Sequence, residues 1–271
     1  MAAPNAITTQ QLLRLIGTPQ ALIIVDVCID PDFKDDHFLI PGSIRHSHTD
    51  IDGLINLVQG QHCVITCQKG KKLSQGVAAC LRSEGENAEY LEGGMFAWRD
   101  HPDAPRVPAS VIPAPVAGRT LWVTRHRPKI DRIACPWLIR RFVDQNASFL
   151  FVSPTEVSGV AERFGATPFD VEDTFWSHRG TNCTFDTMLD EFCLHTPALN
   201  RLATVVRGAD TNNHDLAPEA AGLLAVSVGL SRQYRDDHQQ LEAGLALYDA
   251  MYRWARDGFN EGHDWPAVNK K

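Results

Sequence analysis

The chain has 271 residues, which is enough for two domains of ordinary size, and its 44% apolar content is typical of a globular protein. Its formal net charge of −7 argues against general nucleic-acid binding, and no apolar run approaches the ~20 residues that span a bilayer. Seven irregularly spaced cysteines and a start without signal-peptide features predict free thiols in a cytoplasmic protein with no membrane partner.

The first hundred residues alternate between short strand and helix patterns. Residues 8–17 predict a capped helix, and the apolar run 22–27 predicts a strand of a parallel sheet that is covered on both faces. Asp26, at the end of that run, is expected to tie down a neighbouring loop. A helical pattern over 51–57 follows, and the alternation continues to Trp98. This order predicts a three-layer α/β domain.

A cysteine-containing loop lies in the middle of this domain. The apolar strand 63–66 ends at Cys67, a glycine- and lysine-rich loop follows, and a helical pattern then runs to Gly85. Helix-terminal N–H groups and three lysines would favour the thiolate over the thiol, whereas the simpler alternative is an inert buried cysteine. We therefore predict that Cys67 is a catalytic nucleophile and that its loop binds an anionic substrate through Gln68, Lys69, Gly70, Lys71 and Lys72.

Residues from about 8 to 100 resemble a single rhodanese domain. The segments that carry this resemblance are Leu22–Val27, Ile40–Ile44, Cys67–Lys72 and Leu91–Gly94 followed by Trp98. The resemblance implies a rhodanese-like three-layer α/β fold and a sulfurtransferase whose cysteine carries a persulfide. It further implies a small anionic sulfur donor, a thiol or cyanide acceptor, and no cofactor requirement. Cys28 stands where the family usually has an arginine, which bears on the donor more than on the fold.

A phosphatase or arsenate reductase on the same fold is a competing interpretation. The residue five positions after Cys67 is Lys72 rather than an arginine. Lysine lacks the planar guanidinium fork that binds a phosphate through two parallel hydrogen bonds, so this alternative is disfavoured.

A proline- and alanine-rich segment then separates two regions of different composition. We predict a first domain at 1–104, a semi-rigid linker at 105–118 and a second domain at 119–271. The second domain has strand patterns near 120–124 and 149–152 and several longer helical patterns. It is therefore expected to be mostly α-helical, of the α+β class.

Residues 119–260 resemble the C-terminal domain of ChrB-type chromate-resistance proteins. The matching segments are Asp131–Arg141, Gly165–Asp170, Arg207–Thr211, Leu216–Leu223 and Asp236–His238. The resemblance implies an association with chromate resistance, and members of that family are described as regulators or sensors.

Acids and histidines in these segments suggest a polar pocket in the second domain. We predict that Asp131, His178, Asp210 and His238 converge on a single divalent metal such as zinc or iron. Alternatively, Arg125 and Arg132 would bind an oxyanion such as chromate, or all of these residues form ordinary caps and surface contacts. Two functions thus remain open: a Cys67 sulfurtransferase coupled to this domain, or a non-catalytic oxyanion sensor or stress-response binding protein.

Overall fold

The computed structural model describes residues 4–262. Within this range no helix is both long and apolar enough to cross a membrane. The strands are Ala6–Ile7 (β1), Ile23–Asp26 (β2), Phe38–Leu39 (β3), Ile44–Arg45 (β4), Cys63–Thr66 (β5), Ala88–Leu91 (β6), Val107–Pro108 (β7), Leu121–Arg125 (β8), Ser148–Val152 (β9) and Thr167–Pro168 (β10). The α-helices are Thr9–Leu15 (α1), Asp30–Asp35 (α2), Ile51–Val58 (α3), Lys72–Ser83 (α4), Gly94–Arg99 (α5), Asp131–Phe142 (α6), Val157–Phe164 (α7), Thr184–Glu191 (α8), Pro197–Asp210 (α9), Ala220–Gln233 (α10) and Asp237–Arg253 (α11).

The N-terminal half is built on a five-stranded parallel sheet in the order β1-β6-β5-β2-β4. Every residue of β5 is buried, as expected for a central strand that is covered on both faces. Val64 of this strand pairs with Ile24 of β2, and Ile65 pairs with Tyr90 of β6. Parallel strands need crossover connections, and helices α1, α3 and α4 supply them. The predicted rhodanese-like α/β class is confirmed for this half.

Two polar residues of the N-terminal half, Thr8 and Asp26, form the local contacts that the sequence predicts. Thr8 caps α1, because its side chain accepts a hydrogen bond from the Gln11 N–H while the Gln11 side chain accepts one from the Thr8 N–H. Asp26 is buried, accepts a hydrogen bond from the Cys28 N–H at 2.9 Å and lies 3.7 Å from the Arg45 guanidinium. It therefore fixes the loop that follows β2, as predicted.

The segment that was predicted as a linker begins as part of the N-terminal fold. Strand β7 pairs antiparallel with β3, and Val107 is buried. Arg106 donates to the Asp36 carboxylate at 2.9 Å, and the Trp98 indole N–H donates to the Pro105 carbonyl at 2.9 Å. The first residues of the predicted semi-rigid linker 105–118 are thus packed against the preceding domain.

The C-terminal half combines a small parallel sheet, ordered β10-β8-β9, with a bundle of helices. Trp137 of α6 is fully buried at the centre of this bundle. Its ring lies 5.5–6.4 Å from the aromatic rings of four residues on α6, α8 and α11, namely Phe142, Phe185, Tyr248 and Tyr252. The mostly helical character that was predicted for this half is confirmed.

The two halves share a continuous apolar core. The Gly42 N–H donates to the carbonyl of Phe142, at the end of α6, at 2.7 Å. A Cβ atom on Gly17 would lie 2.2 Å from Cζ of the Phe142 ring, so this ring occupies the space where a side chain would otherwise be. The Arg256 guanidinium also donates to the Arg14 carbonyl at 3.1 Å. These contacts hold the two halves together through backbone groups as well as side chains.

Candidate active site and a second polar cluster

Cys67 directly follows β5, at the carboxyl edge of the parallel sheet, and only 4% of its surface is exposed. Its carbonyl accepts a hydrogen bond from the Met95 N–H at 3.0 Å, and the Gln68 carbonyl accepts one from the Phe96 N–H at 3.0 Å. The first turn of α5 therefore fixes the backbone of the cysteine loop. Ligand sites in α/β sheets are commonly found at this edge.

Two glycines allow the loop and α5 to approach this closely. Gly70 has φ +62° and Gly94 has φ +60°, both in the left-handed region that favours glycine. A Cβ atom on Gly94 would lie 2.1 Å from the Cys67 carbonyl oxygen, and one on Gly70 would lie 2.5 Å from the Leu91 carbonyl oxygen. Close backbone packing thus explains the glycines at positions 70 and 94.

The Cys67 thiol contacts a hydroxyl group that the sequence analysis did not identify. Ser74 lies in the first turn of α4 and is completely buried, and its Oγ is 3.2 Å from the Cys67 Sγ. A thiolate at this position could accept a hydrogen bond from the same hydroxyl. In the sequence, only the seven-residue spacing between Cys67 and Ser74 could have indicated this contact, because it places the start of α4 next to the end of β5.

The three lysines of the loop, Lys69, Lys71 and Lys72, are exposed. Among residues 4–262 none of them forms a salt bridge, so no carboxylate neutralises their charge. Gln68 is half-buried, and the Gly70 carbonyl accepts a hydrogen bond from the Gln75 side chain at 3.0 Å. The predicted anion-binding residues therefore form a positively charged surface on a loop whose backbone is held in place.

A neighbouring cavity of ≈ 430 Å³ opens at the same edge of the sheet, after β2 and β4. It is lined in part by Cys28 and by the basic side chains of Arg45, His46 and His48. Burial, together with the nearby Asp26 carboxylate, raises the pKa of the Cys28 thiol. Cys28 therefore stays protonated at neutral pH and is a poor nucleophile.

A second polar cluster lies in the C-terminal half. Asp131 is the first residue of α6, Asp170 follows β10, His178 precedes α8 and Asp210 ends α9. The Nε2 atom of His178 lies 3.5 Å from Asp131 Oδ2, 3.5 Å from Asp170 Oδ1 and 3.2 Å from Asp210 Oδ2. Three of the four predicted metal ligands therefore come together, and Asp170 is an additional member.

Burial and mutual repulsion decide the protonation of this cluster. Asp131 is fully buried, and burial followed by the charges of Asp210 and Asp170 raises its pKa well above the ordinary value. Hydrogen bonds to Asp170 and Asp210 raise the pKa of His178 to about 10, so the imidazole is protonated at neutral pH. Burial alone would raise the pKa of Asp170, but hydrogen bonds from His178 and Thr184 and the nearby arginines lower it.

The carboxylates are held by groups on other elements. The Thr184 N–H, at the start of α8, donates to Asp131 Oδ2 at 2.5 Å, and the Thr184 hydroxyl donates to Asp170 Oδ1 at 2.9 Å. Although Asp131 is the first residue of α6, its carboxylate accepts its hydrogen bond from the start of α8. The backbone is left-handed at Asp170 (φ +52°) and at Ile130 (φ +46°), which is uncommon for residues other than glycine.

Arg125 and Arg132 are engaged by Asp170. The guanidinium groups lie 3.1 Å and 3.2 Å, respectively, from its Oδ2 atom. Arg132 also donates to the His126 carbonyl at 3.0 Å. Their pairing with a carboxylate argues against the predicted role as an oxyanion clamp.

His238 does not contact His178 or the carboxylates around it within the described part of the chain. Its ring packs edge-on against Phe151 of β9, with centroids 5.4 Å apart. The prediction that His238 joins the cluster is therefore corrected, and Asp170 takes its place. The position of Asp170 two residues after β10 is the one feature of the sequence that points to it.

Other ligand-type residues of this half have structural partners. Asp186 receives a hydrogen bond from Arg207 at 2.9 Å, and Glu242 receives one from Arg140 at 2.6 Å. Cys135 is completely buried, and burial raises the pKa of its thiol. These side chains stabilise the helix bundle.

Comparison with known proteins finds a similar family for each half. Residues 8–101 match the profile of the Rhodanese-like domain, and residues 122–255 match that of ChrB, C-terminal domain. Protein ChrB of Cupriavidus metallidurans is 32% identical over 132 residues, which are 48% of this chain and 39% of that protein. The match thus spans about two fifths of the length of this curated relative.

Solved structures resemble the N-terminal half. A rhodanese-like domain protein from Staphylococcus aureus is 28% identical, and the match covers 36% of this chain and 94% of that chain with a TM-score of 0.32. A protein from Staphylococcus saprophyticus is 29% identical, with coverage of 34% and 89% and a TM-score of 0.30. The chain is thus similar to the Rhodanese-like domain over residues 8–101 and to the ChrB C-terminal domain over residues 122–255.

Proposed function

We propose that the N-terminal domain is a sulfurtransferase in which Cys67 carries the transferred sulfur as a persulfide. The observation that carries the proposal is the position of the Cys67 thiol, at a sheet edge, in a loop fixed by α5 and beside the Ser74 hydroxyl. The exposed lysines of this loop provide positive charge for a small anionic donor such as thiosulfate. This chemistry needs no cofactor, and a reducing cytoplasm would keep Cys67 available as a thiol.

The reaction would have two displacement steps. The Cys67 thiolate, formed by loss of its proton to solvent, attacks the outer sulfur of thiosulfate. A new S–S bond forms, the S–S bond of the donor breaks, and sulfite leaves with the electron pair. Cyanide or an acceptor thiolate then attacks the outer sulfur of the persulfide. The Cys67 thiolate leaves with the electron pair and is regenerated, and the Ser74 hydroxyl can stabilise its charge by donating a hydrogen bond.

The test is a thiosulfate–cyanide assay together with intact-protein mass spectrometry. We expect wild-type protein to form thiocyanate and to gain the mass of one sulfur atom when it is treated with thiosulfate alone. Cys67→Ser should abolish both results. Cys80→Ser removes an exposed thiol from α4 and is the matched control, since it should behave as wild type. Turnover that persists in Cys67→Ser, or wild-type protein that acquires no sulfur, would reject the proposal.

The second domain links this activity to chromate resistance only through its similarity to ChrB. A non-catalytic oxyanion sensor is the competing function. The pairing of Arg125 and Arg132 with Asp170 counts against a chromate site at those two residues. The sulfurtransferase proposal is therefore preferred.

A further inference from the structure

His178 presents one ring nitrogen to three carboxylates at once. Its Nε2 atom lies 3.2 Å from Asp210 and 3.5 Å from both Asp131 and Asp170. A single N–H group points in one direction and cannot make well-aligned hydrogen bonds to three oxygens. The arrangement therefore brings more acceptor atoms together than one proton can satisfy.

The distances from His178 Nε2 to the carboxylate oxygens are close to those between neighbouring ligands of a tetrahedral ion. Zinc binds histidine nitrogen and carboxylate oxygen at about 2.0–2.2 Å, which places neighbouring ligands about 3.3–3.6 Å apart. The three nitrogen–oxygen separations around His178 are within about 0.1 Å of that range. One donor atom each from Asp131, Asp170 and His178 all lie within 4.8 Å of one another.

Asp131 provides an independent indication of a ligand. Its side chain is completely buried, and its Oδ1 atom has no hydrogen-bond partner among residues 4–262. A buried carboxylate that lacks a partner is costly, and a bound cation would offset this cost. The Oδ2 atom of the same carboxylate faces His178.

The surroundings orient the donors as the outer contacts of a metal site do. The two carboxylate oxygens of Asp170 have different partners. Its Oδ2 atom faces Arg125 and Arg132. Its Oδ1 atom faces His178 and accepts a hydrogen bond from the Thr184 hydroxyl. Thr184 also holds Asp131 through its backbone N–H. Such outer contacts fix the direction of the side chains that bind a metal ion. The His178 side chain is 41% exposed, so an ion could reach the site from solvent.

We propose that Asp131, Asp170 and His178 bind one divalent transition-metal ion of the zinc class, with Asp210 next to the site, 3.2 Å from the His178 Nε2 atom. One histidine nitrogen and two carboxylate oxygens suit zinc or ferrous iron. The site lies in the ChrB C-terminal domain and includes no residue of the Cys67 loop.

The experiment is a zinc titration by calorimetry on full-length, chelator-treated protein in the Cys67→Ser background. That background excludes the reactive thiol as a ligand and makes the result independent of sulfur transfer. We expect one zinc ion per chain. His178→Gln and Asp170→Asn should each weaken the affinity at least about 100-fold, because a direct ligand matters at least as much as its outer contacts. His238→Ala is the matched control and should bind zinc like its parent.

Three outcomes would overturn the proposal. The first is that the protein binds zinc with only millimolar affinity. The second is that His178→Gln binds zinc as tightly as its parent. The third is that His238→Ala loses zinc binding while His178→Gln retains it. Far-ultraviolet circular dichroism of each variant verifies the fold. Since His178 is on the surface side of the cluster, His178→Gln is expected to fold even if substitutions of the buried acids do not. Visible absorption after cobalt substitution gives a second reading, because its bands should change in His178→Gln and not in His238→Ala.

Discussion

The close approach of Gly94 to the cysteine loop allows a sharp test of how Cys67 is positioned. In Gly94→Ala the new Cβ atom would lie 2.1 Å from the Cys67 carbonyl oxygen and 2.3 Å from the Gly70 nitrogen. Both are backbone atoms, so no side-chain rotation relieves the clash. The loop would have to move by about 1 Å to reach an ordinary contact distance.

The expected loss of stability follows from three contributions. Left-handed backbone at a residue other than glycine costs about 1–2 kcal/mol. The displacement also breaks the hydrogen bonds from Met95 to Cys67 and from Phe96 to Gln68, each with a net contribution of about 1 kcal/mol. We therefore expect the free energy of unfolding to fall by about 3–4 kcal/mol, out of the ~5–15 kcal/mol of a typical domain. A displacement of about 1 Å at the nucleophile should also reduce kcat/KM about 100-fold.

Gly76→Ala is the matched control. Gly76 lies within α4, and among residues 4–262 no heavy atom beyond its chain neighbours and its own helix backbone lies within 4 Å of the Cβ position. Alanine favours a helix over glycine, so this variant should gain up to about 1 kcal/mol and keep its activity. Urea denaturation and the thiosulfate–cyanide assay measure both variants. If Gly94→Ala matches Gly76→Ala in stability and kcat/KM, the loop is not positioned by this contact.

Two further predictions concern single side chains. Ser74→Ala removes the hydroxyl next to the Cys67 Sγ and should lower kcat/KM about tenfold. Ser83→Ala, at an exposed position at the end of the same helix, is the control and should leave kcat/KM unchanged. If the two variants have the same kcat/KM, Ser74 has no role in the reaction. In metal-free folded protein the pKa of His178 is about 10, above the ordinary value of 6.5. Protonated His178 therefore stabilises the fold fully below about pH 6.5, and this stabilisation is lost as the pH rises through 10. The urea midpoint should therefore fall more steeply between pH 7 and 10 in wild type than in His178→Gln, and parallel pH profiles would contradict this.

The cysteine loop could be predicted from the sequence because its determinants are local. A strand, a glycine-containing loop and a helix follow one another within residues 63–85, and the chain order alone places Cys67 at the sheet edge. Ser74 was missed because its contact depends on how α4 packs against β5. The role of Gly94 was missed because its partner, the cysteine loop, lies more than twenty residues earlier in the chain.

The second cluster was predicted less completely because its members come from four distant segments. Residue types suggested a pocket, but which face of α11 turns inward depends on packing, and this packing places His238 against Phe151. Asp170 enters the cluster from a backbone with positive φ, which residue type alone does not indicate for aspartate. Arg125 and Arg132 were expected to bind an external anion, but an internal carboxylate already pairs with them.

The contact between Gly17 and Phe142 bears on how the two halves of this chain can diverge. The aromatic ring from the second half fills the volume that a side chain at position 17 would need. A rhodanese-like domain that functions alone would have water at that surface and could accept many residues there. In this chain, by contrast, substitutions at position 17 and at position 142 should occur together across related two-domain proteins. An exchange of one half alone should therefore impair this contact unless positions 17 and 142 change together.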